Sequence, residues 1–282
     1  MHTVGLSVYK QSQIRIDFIQ KLPVELSLIV FSYLQKKDWS QCRLVSEKWS
    51  IIVATIQGLH IKKSVAFGAH QWSQYLGAVA DEPSLPVDIL KILTTPCPFV
   101  KDKMIGDTHL LILIPKSVNG LSLTVNYLEA LIKNPRGGFS SRFQYSWDYR
   151  DLKKHADTPV ESSYWVLLTK DILPNSKNKN YAEHMRQIQV CARKRRIPYQ
   201  IPRLLELIAG IFSHNMRNIE KNCLYFTLLA HKTYSHCEEN DGKFHAIVGA
   251  FCRQEGLNIR SDYSCHQNCD FAQVGVAALC RL

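Results

Sequence analysis

No apolar run in this chain approaches the ~18 residues a bilayer-spanning helix needs. The longest clean one is Leu110-Leu111-Ile112-Leu113-Ile114, the length of a buried strand, so an integral membrane protein is not expected. Met1 to Lys10 holds no continuous apolar stretch, so a cleaved secretory signal is not expected either. No self-similarity emerges at a period of twenty to fifty residues, which argues against leucine-rich repeats, propeller blades and ankyrin arrays. What remains is ordinary globular material: 282 residues, 46% hydrophobic, 10% aromatic and 21% charged, with 13 Gly and 11 Pro. The length fits one large domain or two of usual size.

Acidic residues are in the minority, 24 against 35 basic, for a formal charge of +11. Such a surface attracts polyanions, but it serves solubility equally well, so no nucleic-acid partner is expected from charge alone. The densest basic stretch runs from Lys170 to Arg196. It has eight cations against Asp171 and Glu183, and Arg186, Arg193, Lys194, Arg195 and Arg196 form its candidate patch. A solvated helix end explains the same residues, because cations favour a helix C-terminus. The nine cysteines are odd in number and lack framework spacing, which reads as reduced thiols in the cytoplasm or nucleus.

Catalytic and metal motifs are also scarce. Zinc sites favour paired Cys-x-x-Cys knuckles. Here Cys265-His266-x-x-Cys269, with Cys237 or Cys252, offers one wider interval and no second pair, so no metal or cofactor is expected. A thiol enzyme would draw on Cys223, Cys237 or Cys252. His231, His236 or His245 would serve as base, and Asp241 or Asp262 would orient it. None of these sits in a recognisable nucleophile motif. Arg136-Gly137-Gly138 lacks the Gly-Lys-Ser/Thr of a phosphate loop and reads as the turn ending a helix.

The first sixty residues carry the strongest pattern. Lys21 to Leu34 reads as a helix, with Pro23 in its first turn. Leu22, Leu26, Ile29, Val30 and Tyr33 make one apolar stripe. Asp38 is a candidate cap for a second helix, with Gln41 completing a capping box, and Ser46 for a third helix carrying Trp49 and Ile52. Three short helices within about forty residues bury too little surface to be robust alone. Such a unit needs a covering neighbour or a partner chain.

The residues of this stretch resemble an F-box. The string is Leu22-Pro23-x-Glu25-Leu26, Phe31-Ser32-Tyr33-Leu34, Asp38, Cys42-Arg43-Leu44-Val45-Ser46 and Trp49. Asp38 falls sixteen residues after Leu22, and Trp49 eleven after Asp38. Two positions depart from the family pattern: Ser27 stands where a large apolar residue is more usual, and Trp39 where Leu is. The resemblance implies docking to a Skp-type adaptor, which tethers F-box proteins to a cullin-RING ubiquitin ligase. By that likeness Leu22, Pro23, Glu25, Leu26, Val30, Phe31 and Leu34 form the adaptor surface, and Leu44, Val45 and Trp49 pack the module.

Beyond residue 62 the pattern loosens. Residues 63–99, with Pro83, Pro86, Pro96 and Pro98, read as a helical, proline-rich connector. Residues 100–282 alternate strand and helix signals. Strands are expected at Leu110–Ile114, Tyr164–Thr169, Leu224–Ala230, His245–Phe251 and Phe271–Leu279. Helices are expected on the face of Leu121, Val125, Leu128, Leu131 and Ile132, at Tyr181–Arg196, and on Leu204, Leu207, Ile208, Ile211 and Phe212. The expected class is α+β: a three-helix module at 18–62, then a mixed C-terminal domain with an antiparallel sheet.

The blocks Pro115-Lys116-Ser117-Val118-Asn119-Gly120-Leu121 and Ser163-Tyr164-Trp165-Val166-Leu167-Leu168-Thr169 resemble the tails of F-box-like proteins of intracellular bacteria. That implies an effector working in a host cytosol. The expected function is a non-catalytic adaptor that joins a target protein, held by residues 100–282, to the ligase. The alternative is a thiol enzyme, or a basic nucleic-acid-binding protein, with a helical start that only looks like an F-box.

Overall fold

The structure, a computed structural model, describes residues 19, 21–35, 38–64, 66–137, 143–145, 153–195, 197–220, 233–252, 256–262 and 274–282. Contacts divide the chain into two units, Met1–His60 and Ile61–Leu282.

In the first unit Pro23 marks where helix begins. It occupies the N-cap of α1 (Val24–Ser32), one residue before the first turn, where its missing N–H costs nothing. Asp38 holds the N-cap of the short α2 (Trp39–Cys42), but its side chain makes no capping bond; the capping box with Gln41 does not form. Ser46 does cap α3 (Glu47–Ser64), its hydroxyl accepting from the Trp49 N–H at 3.4 Å. The three helices close over Ile19, Phe31, Trp39, Cys42, Ile52, Val53 and Ile56, with Leu22, Leu28, Leu34 and Trp49 partly buried around them.

The second unit opens with β1 (Ala66–Phe67), α4 (Ala69–Tyr75), α5 (Ile89–Leu93), α6 (Ile105–Thr108) and β2 (His109–Ile114). A hairpin of β3 (Ser117–Val118) and β4 (Leu121–Ser122) follows, then α7 (Val125–Lys133), β5 (Phe143–Tyr145) and β6 (Tyr164–Thr169). Next come α8 (Tyr181–Arg195), α9 (Leu204–Glu220), β7 (Tyr234–Asn240), β8 (His245–Cys252), β9 (Gly256–Ser261), β10 (Val274–Gly275) and β11 (Leu279–Arg281).

These strands form a four-stranded sheet, β1-β2-β6-β11, and a five-stranded sheet, β10-β7-β8-β9-β5. Both are mixed: β1–β2, β10–β7 and β5–β9 pair parallel, and the remaining neighbours pair antiparallel. Helices interleaved with largely antiparallel sheets make the α+β class. α9 packs on both sheets through β2, β7 and β8, and it is buried over most of its described length.

Two expectations need correction. Residues 63–99 are not a connector: β1 pairs with β2 from Ala66↔Leu111, and Trp72, Tyr75, Leu76, Ile89 and Leu93 lie in the same core as both sheet centres. Two indole N–H groups fasten the segment, Trp72 Nε1 to the Leu113 carbonyl and Trp165 Nε1 to the Pro83 carbonyl, at 2.9 and 2.8 Å. Leu121 is not on the α7 face. Asn119 and Gly120 both adopt positive φ, 51° and 79°, the geometry of a tight hairpin turn, and this leaves Leu121 exposed in β4. The strand expected at 224–230 lies outside the described residues, as does 271–273.

Candidate functional site

Helix α1 is apolar nearly all the way round, and only one side of it is covered. Ser27 and Phe31, one turn apart, face the module core. The Ser27 hydroxyl donates to the Pro23 carbonyl at 3.0 Å, which satisfies a polar group buried where a larger apolar residue is usual. Phe31 meets Trp49 edge-on, ring centroids 4.8 Å apart.

The opposite side holds the stripe that sequence spacing drew. Leu26 is 49% exposed, Ile29 52% and Tyr33 84%, with Val24 and Val30 exposed beside them. Each half-exposed aliphatic side chain gains about 1 kcal/mol when a partner completes its burial. Lys48 of α3 steadies the start of this helix: its Nζ donates to the carbonyls of Ile19 at 2.7 Å and Leu22 at 3.3 Å.

The structure therefore redistributes the residues that the F-box likeness implied. Pro23, Glu25, Leu26 and Val30 are exposed, and Leu22 and Leu34 are half-buried. Phe31 is 1% exposed and belongs to the module core, because its place one turn after Ser27 turns it inward. Leu44 and Val45 do not pack the module; they are 80% and 56% exposed. The short α2 turns Trp39 and Cys42 inward, and the turn after it points Leu44 and Val45 outward. These two add to the apolar surface of the unit. Trp49 is half-buried against the core.

In the second unit, the described residues of the thiol reading do not assemble a nucleophile. Cys237 is fully buried in β7, and burial, followed by the Glu239 and Glu206 charges, pushes its thiol well above its ordinary value. This is the opposite of an activated thiolate. Asp241 accepts from the Lys243 and Phe244 N–H groups of its own turn. His236 and His245 both engage Asp262, the first through its ring at 3.3 Å and the second through its backbone N–H at 3.2 Å. Cys223, His231, Cys265, His266 and Cys269 lie outside the described residues, as does the Cys252 side chain.

Of the basic patch, Arg186 and Arg193 are exposed on α8. Arg186 Nε turns back to the Ala182 carbonyl. The Lys194 and Arg195 side chains and Arg196 lie outside the described residues. The N–H groups of Arg136 and Gly137 both point at the Tyr75 carbonyl, so this turn is closed by the chain itself; Gly138 is outside the described residues.

Sequence reasoning missed a cleft of about 210 Å³ at the start of α9, lined by Val125, His155, Tyr164, Arg203, Leu205 and Glu239 among others. Glu206 forms its floor. It is wholly buried and accepts from the Tyr164 hydroxyl, the Arg281 guanidinium and the Arg203 N–H at 2.8, 2.7 and 2.7 Å. Glu239 accepts from the Leu204 N–H at 2.8 Å, and burial pushes its carboxyl up to about 7. The one legible signal was Glu206 three residues after Arg203, a helix-start pattern.

The geometry of the first unit is that of a small helical module with an uncovered apolar side. Residues 19–59 match the F-box-like family model. F-box domains are non-catalytic adaptor modules that bind Skp-type adaptors in cullin-RING ubiquitin ligases. No curated protein and no solved structure matches the chain. Among the described residues, no helix is long and apolar enough to cross a membrane.

Proposed function

We propose that this protein is a substrate-recruiting adaptor. Its F-box-like module docks a Skp-type adaptor of a cullin-RING ligase, and its second unit holds a target protein. The single observation that carries the reading is the exposed stripe Leu26, Ile29, Val30 and Tyr33 on a helix whose other side already fills the module core. An apolar helix side left open to water at this density is a groove-binding ligand. On the resemblance of residues 115–121 and 163–169 to bacterial F-box-like tails, we place that ligase in the cytoplasm of a host cell.

The test is binding of the full chain to a purified Skp-type adaptor. Leu26→Asp with Val30→Asp changes only exposed side chains, so the chain stays folded while affinity falls at least tenfold. The double change Leu22→Ala, Pro23→Ala lowers it as well. Unaltered affinity in both variants removes the assignment. The target half of the proposal is tested separately, by proximity labelling from a eukaryotic cytosol with and without residues 61–282. Labelling that depends only on the module would discard it.

A further inference from the structure

A buried chain of hydrogen bonds links α8 to the five-stranded sheet. His184 on α8 aims Nε2 at the Ser176 carbonyl oxygen, 2.7 Å away. It aims Nδ1 at Nδ1 of His236 on β7, 2.8 Å away. On its far side His236 presents Nε2 to Asp262 Oδ2 at 3.3 Å. Both rings are almost completely removed from solvent.

The hydrogens in this chain can be counted. A carbonyl oxygen only accepts, so His184 Nε2 carries hydrogen; an ionised carboxylate only accepts, so His236 Nε2 carries another. The two Nδ1 atoms need one more between them, since two bare nitrogens at that separation repel. Two neutral imidazoles supply two hydrogens, and this arrangement uses three.

The other buried histidine shows the contrast. The Thr108 hydroxyl donates to the Met104 carbonyl at 3.1 Å, leaving its oxygen to accept from His109 Nδ1 at 2.9 Å. The Tyr199 hydroxyl, 3.2 Å from His109 Nε2, donates there. That ring needs one hydrogen and is satisfied neutral.

We propose that His184, His236 and Asp262 form a buried proton-binding site that ties α8 to the five-stranded sheet only while the additional proton is held. His236 is the ring placed to carry the additional hydrogen, because its Nε2 faces a carboxylate whereas His184 Nε2 faces only a carbonyl, and burial disfavours the charged form of the His184 ring, pulling it down to about 4. Asp262 is fixed for that role, since its other oxygen accepts from the His245 N–H.

From β8 the His245 ring lies 6.4 Å from His236, stacked on Tyr181 of α8. Lys179 and Glu183 act on His184 from opposite directions, the first disfavouring and the second favouring its protonated form. Ser176 is held in turn by the Val276 N–H at its hydroxyl. When the additional proton leaves, one of the three contacts must open. All three contacts are kept only while the proton is held, so the tie between α8 and the sheet weakens on the alkaline side, where the proton leaves.

The experiment uses the full chain with histidines labelled with nitrogen-15. Long-range proton–nitrogen correlation at about pH 7 is assigned by single His→Gln substitutions. The expected result is one singly protonated ring for His184 and one doubly protonated ring for His236. Two neutral rings would overturn the proposal.

Asp262→Asn supplies the second measurement. The amide nitrogen donates to a neutral His236 while its oxygen keeps the His245 N–H, so two hydrogens then suffice. In this variant the doubly protonated ring disappears, and the fall of the denaturation midpoint with rising pH seen in the parent is at least halved. An identical fall in both overturns the proposal, and if the variant does not fold, the parent spectrum decides alone.

Discussion

Gly210 of α9 presses so closely on Leu168 of β6 that a Cβ added there would run into the leucine Cδ2. Leu168 is wholly buried, so the methyl has no open space to swing into. The hydrogen side chain is what lets the central helix lie against the four-stranded sheet.

Two effects oppose each other in Gly210→Ala. Helix propensity favours alanine by about 1 kcal/mol, while overpacking a filled core costs about 1–3 kcal/mol. The second wins because the Leu168 side chain that would have to give way is itself wholly buried. Denaturant unfolding of the variant is expected to show a net loss of up to about 2 kcal/mol, and a stabilised variant would mean that α9 can lift from the sheet.

Glu239 gives a pH-dependent contribution of known sign. Burial raises its carboxyl from 4.5 to about 7, and the Leu204 N–H offsets that only in part. A raised folded-state value means that stability present below about 4.5 is lost as pH rises through about 7. Glu239→Gln keeps the acceptor for the Leu204 N–H and removes the charge. Relative to the parent, the variant should gain stability between those pH values, reaching about 2 kcal/mol after discounting for its partial exposure. A pH-independent difference between the two would show that the carboxyl is not held neutral.

His109 works in the opposite direction. Burial, with a smaller push from Lys170, lowers it from 6.5 to about 4, although a backbone hydrogen bond at Ile105 favours its charged form. The neutral ring is what the fold accepts. Stability is therefore full above about 6.5 and lost as pH falls toward about 4. Measured against His109→Gln, the parent should lose up to about 3 kcal/mol across that interval. A constant gap between the two unfolding profiles would contradict the neutral, doubly bonded ring.

Elements whose signal is local were legible in the sequence. The run Leu110–Ile114 and the run Tyr164–Thr169 became β2 and β6, because an unbroken apolar string of strand length has few other uses. α8 and α9 followed from spacing and from Pro202. The F-box-like module was legible as an ordered string of residue types, and its stripe falls on one side of α1.

What the sequence hid depends on distant partners. Residues 66–99 carry little periodicity and are held by two indole hydrogen bonds whose partners are 41 and 82 residues apart, Trp72 donating to Leu113 and Trp165 donating to Pro83. The His184–His236–Asp262 chain joins groups 52 and 26 residues apart with no motif spacing. Whether Phe31 or Leu26 turns inward is a choice that an all-round apolar helix leaves to its neighbours. Here Trp49 decided it.

That choice yields the sharpest prediction for the first unit. Phe31 fills the module core and packs edge-on against Trp49, so Phe31→Ala removes about 3 kcal/mol of packing. A three-helix unit of this size has little more than that to lose. Hydrogen exchange should show α1 and α3 losing protection together, with β2, β6 and α9 in the second unit unaffected. Leu26→Asp lies on the same helix, little more than one turn away, and projects into water; it should change protection in α1 by no more than about 0.5 kcal/mol while weakening adaptor binding. If Leu26→Asp unfolds α1, or Phe31→Ala leaves it intact, the two sides of this helix have been assigned the wrong way round, and the exposed stripe no longer carries the docking surface.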